Sequence, residues 1–468
     1  MPNLCNSGQS SFLSRRDMLR GAGMGLGALA LADLMGGGAS ASTVANPARA
    51  KPTRTAPKAK SIIWLFQEGG PSAFDLFDPK PMLTRRAGQQ LPGVDPFFGS
   101  PGPLMKSPYK FAQYGESGAW VSDVMPEITA CVDDIAFIKS MHCESNSHAP
   151  AMYQMNTGYA RPGFPSAGAW VTYGLGSENT DLPGFVVLPK QVGSKGGALN
   201  WGAGFLPSAF QGTTFRGGGQ PILNLRRPAD LSDAQQRAQL DLALRLNQQH
   251  LEAHPAERDL EARIASFELA YRMQFEAARA VDLSEETTAT KQMYGMEEEP
   301  TRDYGQKLLL ARRLVERGVR FVQAYPADHW DAHDNLRKNH DELARMTDKP
   351  VAALLKDLKQ RGLLETTLVV WGGEFGRLPV SQKGVGRDHN PYGFLVWMAG
   401  GGVLGGTSVG ETDDFGYHVA QHPVSVPDLH ATVLHLMGIQ HERLTYHHSG
   451  RNFRLTDVSG EVITPILA

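Results

Sequence analysis

Histidine and acidic residues gather late in the chain, eleven of the fifteen histidines lying beyond Asp328. One stretch there reads Asp328-His329-Trp330-Asp331-Ala332-His333-Asp334-Asn335. Residues two apart in an extended segment point the same way, so Asp331 and His333 can converge on one ion. A carboxylate with an imidazole suits Zn²⁺, Mn²⁺ or Fe. The bland alternative is a polar loop whose Asp334 caps the next helix. A second stretch, Gly372-Gly373-Glu374-Phe375-Gly376-Arg377, sets one carboxylate among glycines that allow close backbone approach. Arg377 could grip an oxyanion with two N–H groups, and the competing reading pairs Glu374 with a neighbouring cation. The third, Gly386-Arg387-Asp388-His389-Asn390-Pro391, offers His389 as a second imidazole ligand, with Asp388 beside it to orient the ring. A buried structural histidine is the alternative there.

Two earlier stretches belong with these. Glu68-Gly69-Gly70-Pro71-Ser72-Ala73-Phe74-Asp75-Leu76-Phe77-Asp78 carries four oxygen-bearing candidates, Glu68, Ser72, Asp75 and Asp78. Met141-His142-Cys143-Glu144-Ser145-Asn146-Ser147-His148 leads into a helical pattern, which places Ser147 and His148 at a helix start. A nucleophile is favoured there because free N–H groups and the helix dipole stabilise anions. For any one of these residues, turn and cap chemistry is the simpler reading. Their joint occurrence carries the argument. His430 and His435, in an apolar helical pattern, read as core or surface histidines, and His441, His447 and His448 as a polar turn.

The elements that must position these loops are legible as short apolar runs: Ser61–Phe66, Ile135–Lys139, Gly184–Leu188, Val319–Tyr325, Thr367–Trp371 and Gly393–Met398. Continuous rather than alternating hydrophobicity marks strands buried on both faces, as in a parallel sheet. Helical patterns fall between them, at Arg302–Arg317, Asn335–Arg361 and Pro427–Met437. Together they predict an α/β fold with a doubly wound, mostly parallel sheet flanked by helices, and ligands bound where the strands end. The Gly-dense stretch Lys190–Leu223 reads as a long surface excursion. Residues 232–294 read as a helical insertion packed outside the sheet.

Residues 1–41 read as a twin-arginine export signal: Arg15-Arg16, a short apolar run broken by glycines and Asp33, then Ala39-Ser40-Ala41 for cleavage. The run is too short for a comfortable membrane span of about 20 residues. Residues 42–60, rich in Ala, Pro, Lys and Arg, read as a disordered linker. The expected location is therefore periplasmic or extracellular. A net charge of −2 gives no footprint for nucleic acid or an anionic membrane surface. Of three cysteines, Cys131 and Cys143 lie outside the signal, enough for one bridge at most. No His-Glu-x-x-His helix exists, which argues against a metalloprotease.

With GGPSAFDLFDPKP, HCESNSHAPAMYQMNTG, HWDAHDN, WGGEFGRLP, GRDHNPYGF and the C-terminal PDLHATVLHLMGIQHERLTYHHSGRNFRLTDV in view, residues 61–468 resemble the DUF1501 family. That family is similar in turn to the alkaline phosphatase and sulfatase superfamily. The resemblance implies an alkaline-phosphatase-like domain with a divalent metal (Zn, Mn or Ca) held by Asp75 (or Glu68), Asp331, His333, Glu374 and His389. Ser147 or His148, ahead of Thr157-Gly158, would take the nucleophile's place, with Arg377 on the anion. The superfamily's Asp-His pair has become Glu374-Phe375 here, removing one imidazole, and the formylglycine motif of sulfatases is missing. The expected function is an exported hydrolase of phosphate or sulfate esters, its substrate a small molecule or glycan ester. The alternative is a non-catalytic exported binding protein on the same fold, with glycans as its ligand. Its one other implied partner is the twin-arginine export machinery.

Overall fold

The computed structural model describes residues 49–53, 55–216, 222, 231–253 and 258–468. The export signal read over residues 1–41 lies outside them. The linker expected over 42–60 is described from Arg49, and there it is tied down. Lys51 N donates to Leu175 O (2.7 Å), Lys58 N and Ala59 N both donate to Leu436 O (2.9 Å each), and Ala59 is buried. Backbone hydrogen bonds to two neighbouring helices replace the freedom that composition implied.

The centre is a nine-stranded sheet. Its strands are β1 (Ser61–Phe66), β2 (Ile135–His142), β3 (Phe185–Leu188), β4 (Thr213–Thr214), β5 (Phe321–Ala324), β6 (Thr367–Gly372), β7 (Phe394–Ala399), β8 (Ser408–Val409) and β9 (Val424–Ser425). Across the sheet the order is β8-β2-β7-β6-β1-β5-β3-β4, with β9 also paired to β2. Every residue of β1 is buried, because both faces are covered. Ile63 and Leu65 join a core with helices α5 (Glu299–Glu316) and α6 (Leu336–Gln360). Ile62, Trp64 and Phe66 join a second core with α1 (His148–Thr157), α2 (Ala167–Leu175) and α7 (Val426–Leu436). Helices on both faces of a mostly parallel sheet make the fold doubly wound. The region 232–294 holds two long helices, α3 (Asp233–Ala253) and α4 (Arg258–Val281), joined by an ion pair from Arg237 to Glu268 at 3.1 Å.

One strand departs from the parallel expectation. β7 runs antiparallel to both β6 and β2. The chain leaves β6 and returns as β7 without a crossover helix, a connection only antiparallel neighbours allow. The reversal stacks Trp397 on Trp371, ring centres 5.8 Å apart. It also starts β7 at the end of the sheet where the parallel strands finish. The cap of α6 is Asn335, whose Oδ1 accepts from Lys338 N (3.1 Å), rather than Asp334. Cys131 and Cys143 are both free thiols. Among the described residues no helix is long and apolar enough to cross a membrane.

His430 on α7 is fully buried against Trp64, and burial lowers its pKa to about 4. An unfolded chain protonates this histidine near pH 6.5, so between pH 6.5 and about 4 the unfolded state binds the extra proton. Acidification through that window therefore removes stability, and above it the effect vanishes. His430→Gln should flatten the slope of unfolding free energy against pH by about 1.4 kcal/mol per pH unit. Urea unfolding of both proteins from pH 7.5 to 5 reads the difference directly, and parallel slopes would refute it.

Candidate metal centre

The site forms where β1, β2, β5 and β6 end and β7 begins. After β5 the loop Asp328–Asn335 is anchored by Trp330 N on Glu68 O (2.8 Å) and by Arg387 N on Ala332 O (2.9 Å). Gly386 crosses so close to it that a Cβ there would lie 1.9 Å from the His333 carbonyl oxygen. After β6, Gly376–Arg377 pairs antiparallel with His389–Asn390, setting His389 opposite Arg377. After β2, the chain turns into α1 with Ser147 as its cap residue and His148 as its first helical residue.

His148, Asp331, His333 and His389 converge, each offering one ligand atom within 4.8 Å of the others. The carboxylate of Asp331 is the hub. Its Oδ1 lies 2.8 Å from His333 Nε2 and 3.3 Å from His389 Nε2, and its Oδ2 lies 3.0 Å from His148 Nε2. The far nitrogens tell which face of each ring is free. Nδ1 of His148 sits 2.5 Å from Glu374 Oε1, Nδ1 of His333 2.5 Å from Gln382 Oε1, and Nδ1 of His389 2.6 Å from Asn146 O. Each partner is an oxygen that accepts, so each Nδ1 carries its hydrogen outward. In a neutral ring Nε2 is then a bare lone pair. All three point at one carboxylate. His148 Nε2 is buried and makes no hydrogen bond despite its 3.0 Å approach to Asp331.

Electrostatics reinforce the convergence. Burial opposes the charge on Asp331, but the three imidazoles and Arg377 hold its carboxyl far below the usual carboxylate range. Burial lowers the His389 pKa to about 4 against the pull of Asp331, with the Arg377 guanidinium adding to the effect, so this ring is neutral at pH 7. At His148 burial disfavours the charged ring, yet Asp331 and Glu374 outweigh it and raise its pKa.

The remaining candidates take other places. Glu374 is a support rather than a fifth converging ligand: both its oxygens accept from Gly69 N (3.0 and 3.1 Å), and Oε1 holds His148. Phe375 packs against both His148 and His389, ring centres 4.9 and 4.5 Å away, while those two rings meet each other edge-on at 4.4 Å. Arg377 is not open to an anion. It is fully buried, with donors used on Gly70 O (2.9 Å), Arg387 O (3.0 Å), Gly69 O and Asp331 Oδ1 (2.7 Å). Asp75 stands outside the four, because Arg387 Nε claims its Oδ2 at 2.8 Å and Ser72 Oγ donates to the same oxygen at 2.5 Å. Ser147 makes no cap bond with its side chain. His148, considered as a nucleophile, turns its ring into the cluster instead. Two residues that sequence patterning does not single out also reach the cluster: Lys195, whose Nζ lies 2.8 Å from Asp331 Oδ2, and Gln382, whose Oε1 holds His333. The glycines that frame Lys195, Gly193, Gly196 and Gly197, mark a loop without saying where it docks.

The donor set fits a divalent metal. Three imidazole nitrogens and one carboxylate oxygen suit Zn²⁺, Mn²⁺ or Fe. Ligating histidines typically fix their outward N–H on an oxygen, as all three do here.

The fold comparison finds distant likenesses to solved structures. The PsFucS1 sulfatase from Pseudoalteromonas sp. is 13% identical, with 82% of this chain and 68% of that one aligned and a TM-score of 0.35. The phosphonate monoester hydrolase SpPMH from Silicibacter pomeroyi is 11% identical over 67% of this chain and 68% of that one, TM-score 0.34. The alkaline phosphatase from the Antarctic bacterium TAB5 is 11% identical over 78% of this chain and 96% of that one, TM-score 0.33. No curated protein matches. The family profile described as "Protein of unknown function (DUF1501)" matches residues 59–467, nearly all of the chain, and the chain belongs to that family.

Proposed function

We propose that the chain is an exported metal-dependent hydrolase of phosphate or sulfate esters. The observation that carries it is the inward aim of three Nε2 atoms at Asp331, each ring locked by an oxygen acceptor on Nδ1. Where a ring is neutral its Nε2 lone pair faces the carboxylate, a repulsive arrangement that a cation between them would make attractive. A ring protonated at Nε2, which Asp331 and Glu374 favour at His148, would instead donate to Asp331 and give up that proton when an ion binds. A divalent ion in this set supplies Lewis-acid polarisation of an ester oxygen and acidifies a water.

The protein's own groups do the rest. Glu374 fixes the tautomer of His148, and Gln382 and the Asn146 carbonyl fix those of His333 and His389. Arg377 pins Asp331 from the buried side. Phe97 stacks on His389 at 5.0 Å and Phe98 meets His333 edge-on at 5.5 Å, walling one side of the rings from water. Among the described residues, no hydroxyl or thiol is hydrogen-bonded to any of the four ligands. A metal-activated water, or Ser147 at the start of α1, would serve as nucleophile. The same observation supports the second reading, a binding protein that holds a glycan ester without cleaving it.

Metal content by mass spectrometry tests the proposal. Wild type should carry about one equivalent of a divalent transition metal and His389→Ala far less. A loaded protein is then screened on aryl phosphates and sulfates. A folded wild type that takes up neither Zn²⁺ nor Mn²⁺ would end the hydrolase reading. A loaded protein that binds but does not turn over esters would leave the binding one.

A further inference from the structure

We infer that Lys195 is the substrate-anion residue of this site, the cation that meets the free oxygens of a phosphate or sulfate ester. The inference rests on reading the His148–Asp331–His333–His389 cluster as a metal centre.

The start of the Gly-dense stretch expected to be a surface excursion is fastened beside the metal cluster. Lys195 N donates to Glu68 Oε1 at 3.1 Å, and Lys190 Nζ reaches the same oxygen at 2.8 Å. Asn200 Nδ2 donates to the Lys195 and Gly197 carbonyls, at 2.8 and 3.1 Å. The Tyr153 hydroxyl, from α1, donates to Gly196 O at 3.3 Å. Gly196 itself has φ +82°, and a Cβ there would stand 2.9 Å from the Tyr153 ring. Glu68, fully buried, thus holds a loop rather than joining the four ligands, while its Oε2 stays buried without a hydrogen-bond partner. A buried acid, a helix and an asparagine all serve to hold one lysine backbone at the metal cluster.

The side chain of that lysine differs from its neighbour cation in the property that matters. Arg377 is 0% exposed with four of its five N–H donors on protein oxygens, whereas the Lys195 side chain is 39% exposed with its ammonium on Asp331 Oδ2. That oxygen is also the one His148 Nε2 approaches without a hydrogen bond. A metal held by His148 and Asp331 would draw on the charge of this carboxylate and weaken its hold on the ammonium, which is partly exposed beside the cluster. A three-donor cation beside a bound dication selects a ligand with several anionic oxygens, and a neutral ester offers it nothing.

Calorimetric titration with inorganic sulfate and inorganic phosphate, with and without prior Zn²⁺ loading, tests this on wild type, Lys195→Met and Lys195→Arg. Lys195→Met should keep wild-type zinc stoichiometry while its affinity for either anion falls about 10–100-fold, the worth of a charged hydrogen bond. Lys195→Arg should restore most of it. Equal anion affinity in loaded wild type and Lys195→Met would overturn the inference and leave the metal centre standing. Lys195-dependent anion binding by a wild type that holds no zinc would uphold the lysine and remove the metal. Absence of anion binding in every form would overturn the inference outright.

Discussion

Asp331→Ala should strip the protein of its metal and, even metal-free, cost it about 3–5 kcal/mol of stability, the penalty for orphaning a buried charge. The two effects have separate origins. Each of the three imidazole ligands touches this carboxylate, so its loss removes one ligand and the point on which the three rings are centred. The stability term comes from Arg377, which is fully buried and would keep only its backbone carbonyls. Lys195, at the surface of the cleft, simply returns to water. Asp331→Asn keeps the shape and one acceptor, so it should lose metal as fully but stability by less. Zinc titration and urea unfolding of both variants measure these effects. Full zinc affinity in Asp331→Ala would disprove the cluster as the metal centre.

Asp75→Ala is expected to be as destabilising, again about 3–5 kcal/mol, but for a reason unconnected with metal. Asp75 and Arg387 are both 0% exposed and joined at 2.8 Å. Arg387 also donates to the carbonyls of Leu378 (3.3 Å), Pro379 (3.0 Å) and Met105 (2.9 Å), and lies over the Phe74 ring at 4.6 Å. Removing the acid leaves a guanidinium in the core. Pairing Asp75→Leu with Arg387→Met should recover part of the loss, since a buried ion pair is replaced by apolar groups more cheaply than it is broken. Asp75→Asn, if it folds, should retain the wild-type zinc stoichiometry. Loss of zinc without loss of stability would put Asp75 among the ligands after all.

The strands were legible because burial on both faces leaves a continuous apolar run, and six such runs became β1, β2, β3, β5, β6 and β7. Direction was not. Nothing in Phe394–Ala399 itself separates an antiparallel strand from a parallel one; the difference lies in the returning ribbon at 376–390. Asp331 and His333, two residues apart, do meet at one point, and His389 joins them. Asp75, equally acidic and equally close to a strand end, did not. What distinguishes it is Arg387, a cation more than three hundred residues along the chain, and such long-range pairing leaves no local trace. Lys195 escaped for the opposite reason: glycine-rich spacing looks alike whether a loop wanders over the surface or is strapped into a cleft.

The reversal of β7 has a bearing on how the protein meets its metal. Residues 148, 331, 333 and 389 come together only when β2, β5, β6 and β7 have all joined the sheet, so no shorter stretch of nascent chain owns the coordination set. Such a site belongs to a fold of high contact order, completed late and slowly. An ion bound there would then be captured among the last events of maturation. If the chain takes the twin-arginine route read from its N-terminus, maturation would finish before translocation and the cation would come from the pool inside the cell. Since affinity alone favours the metals late in the Irving–Williams series, the ion found in the mature protein would be a chemical record of the compartment in which its sheet closed.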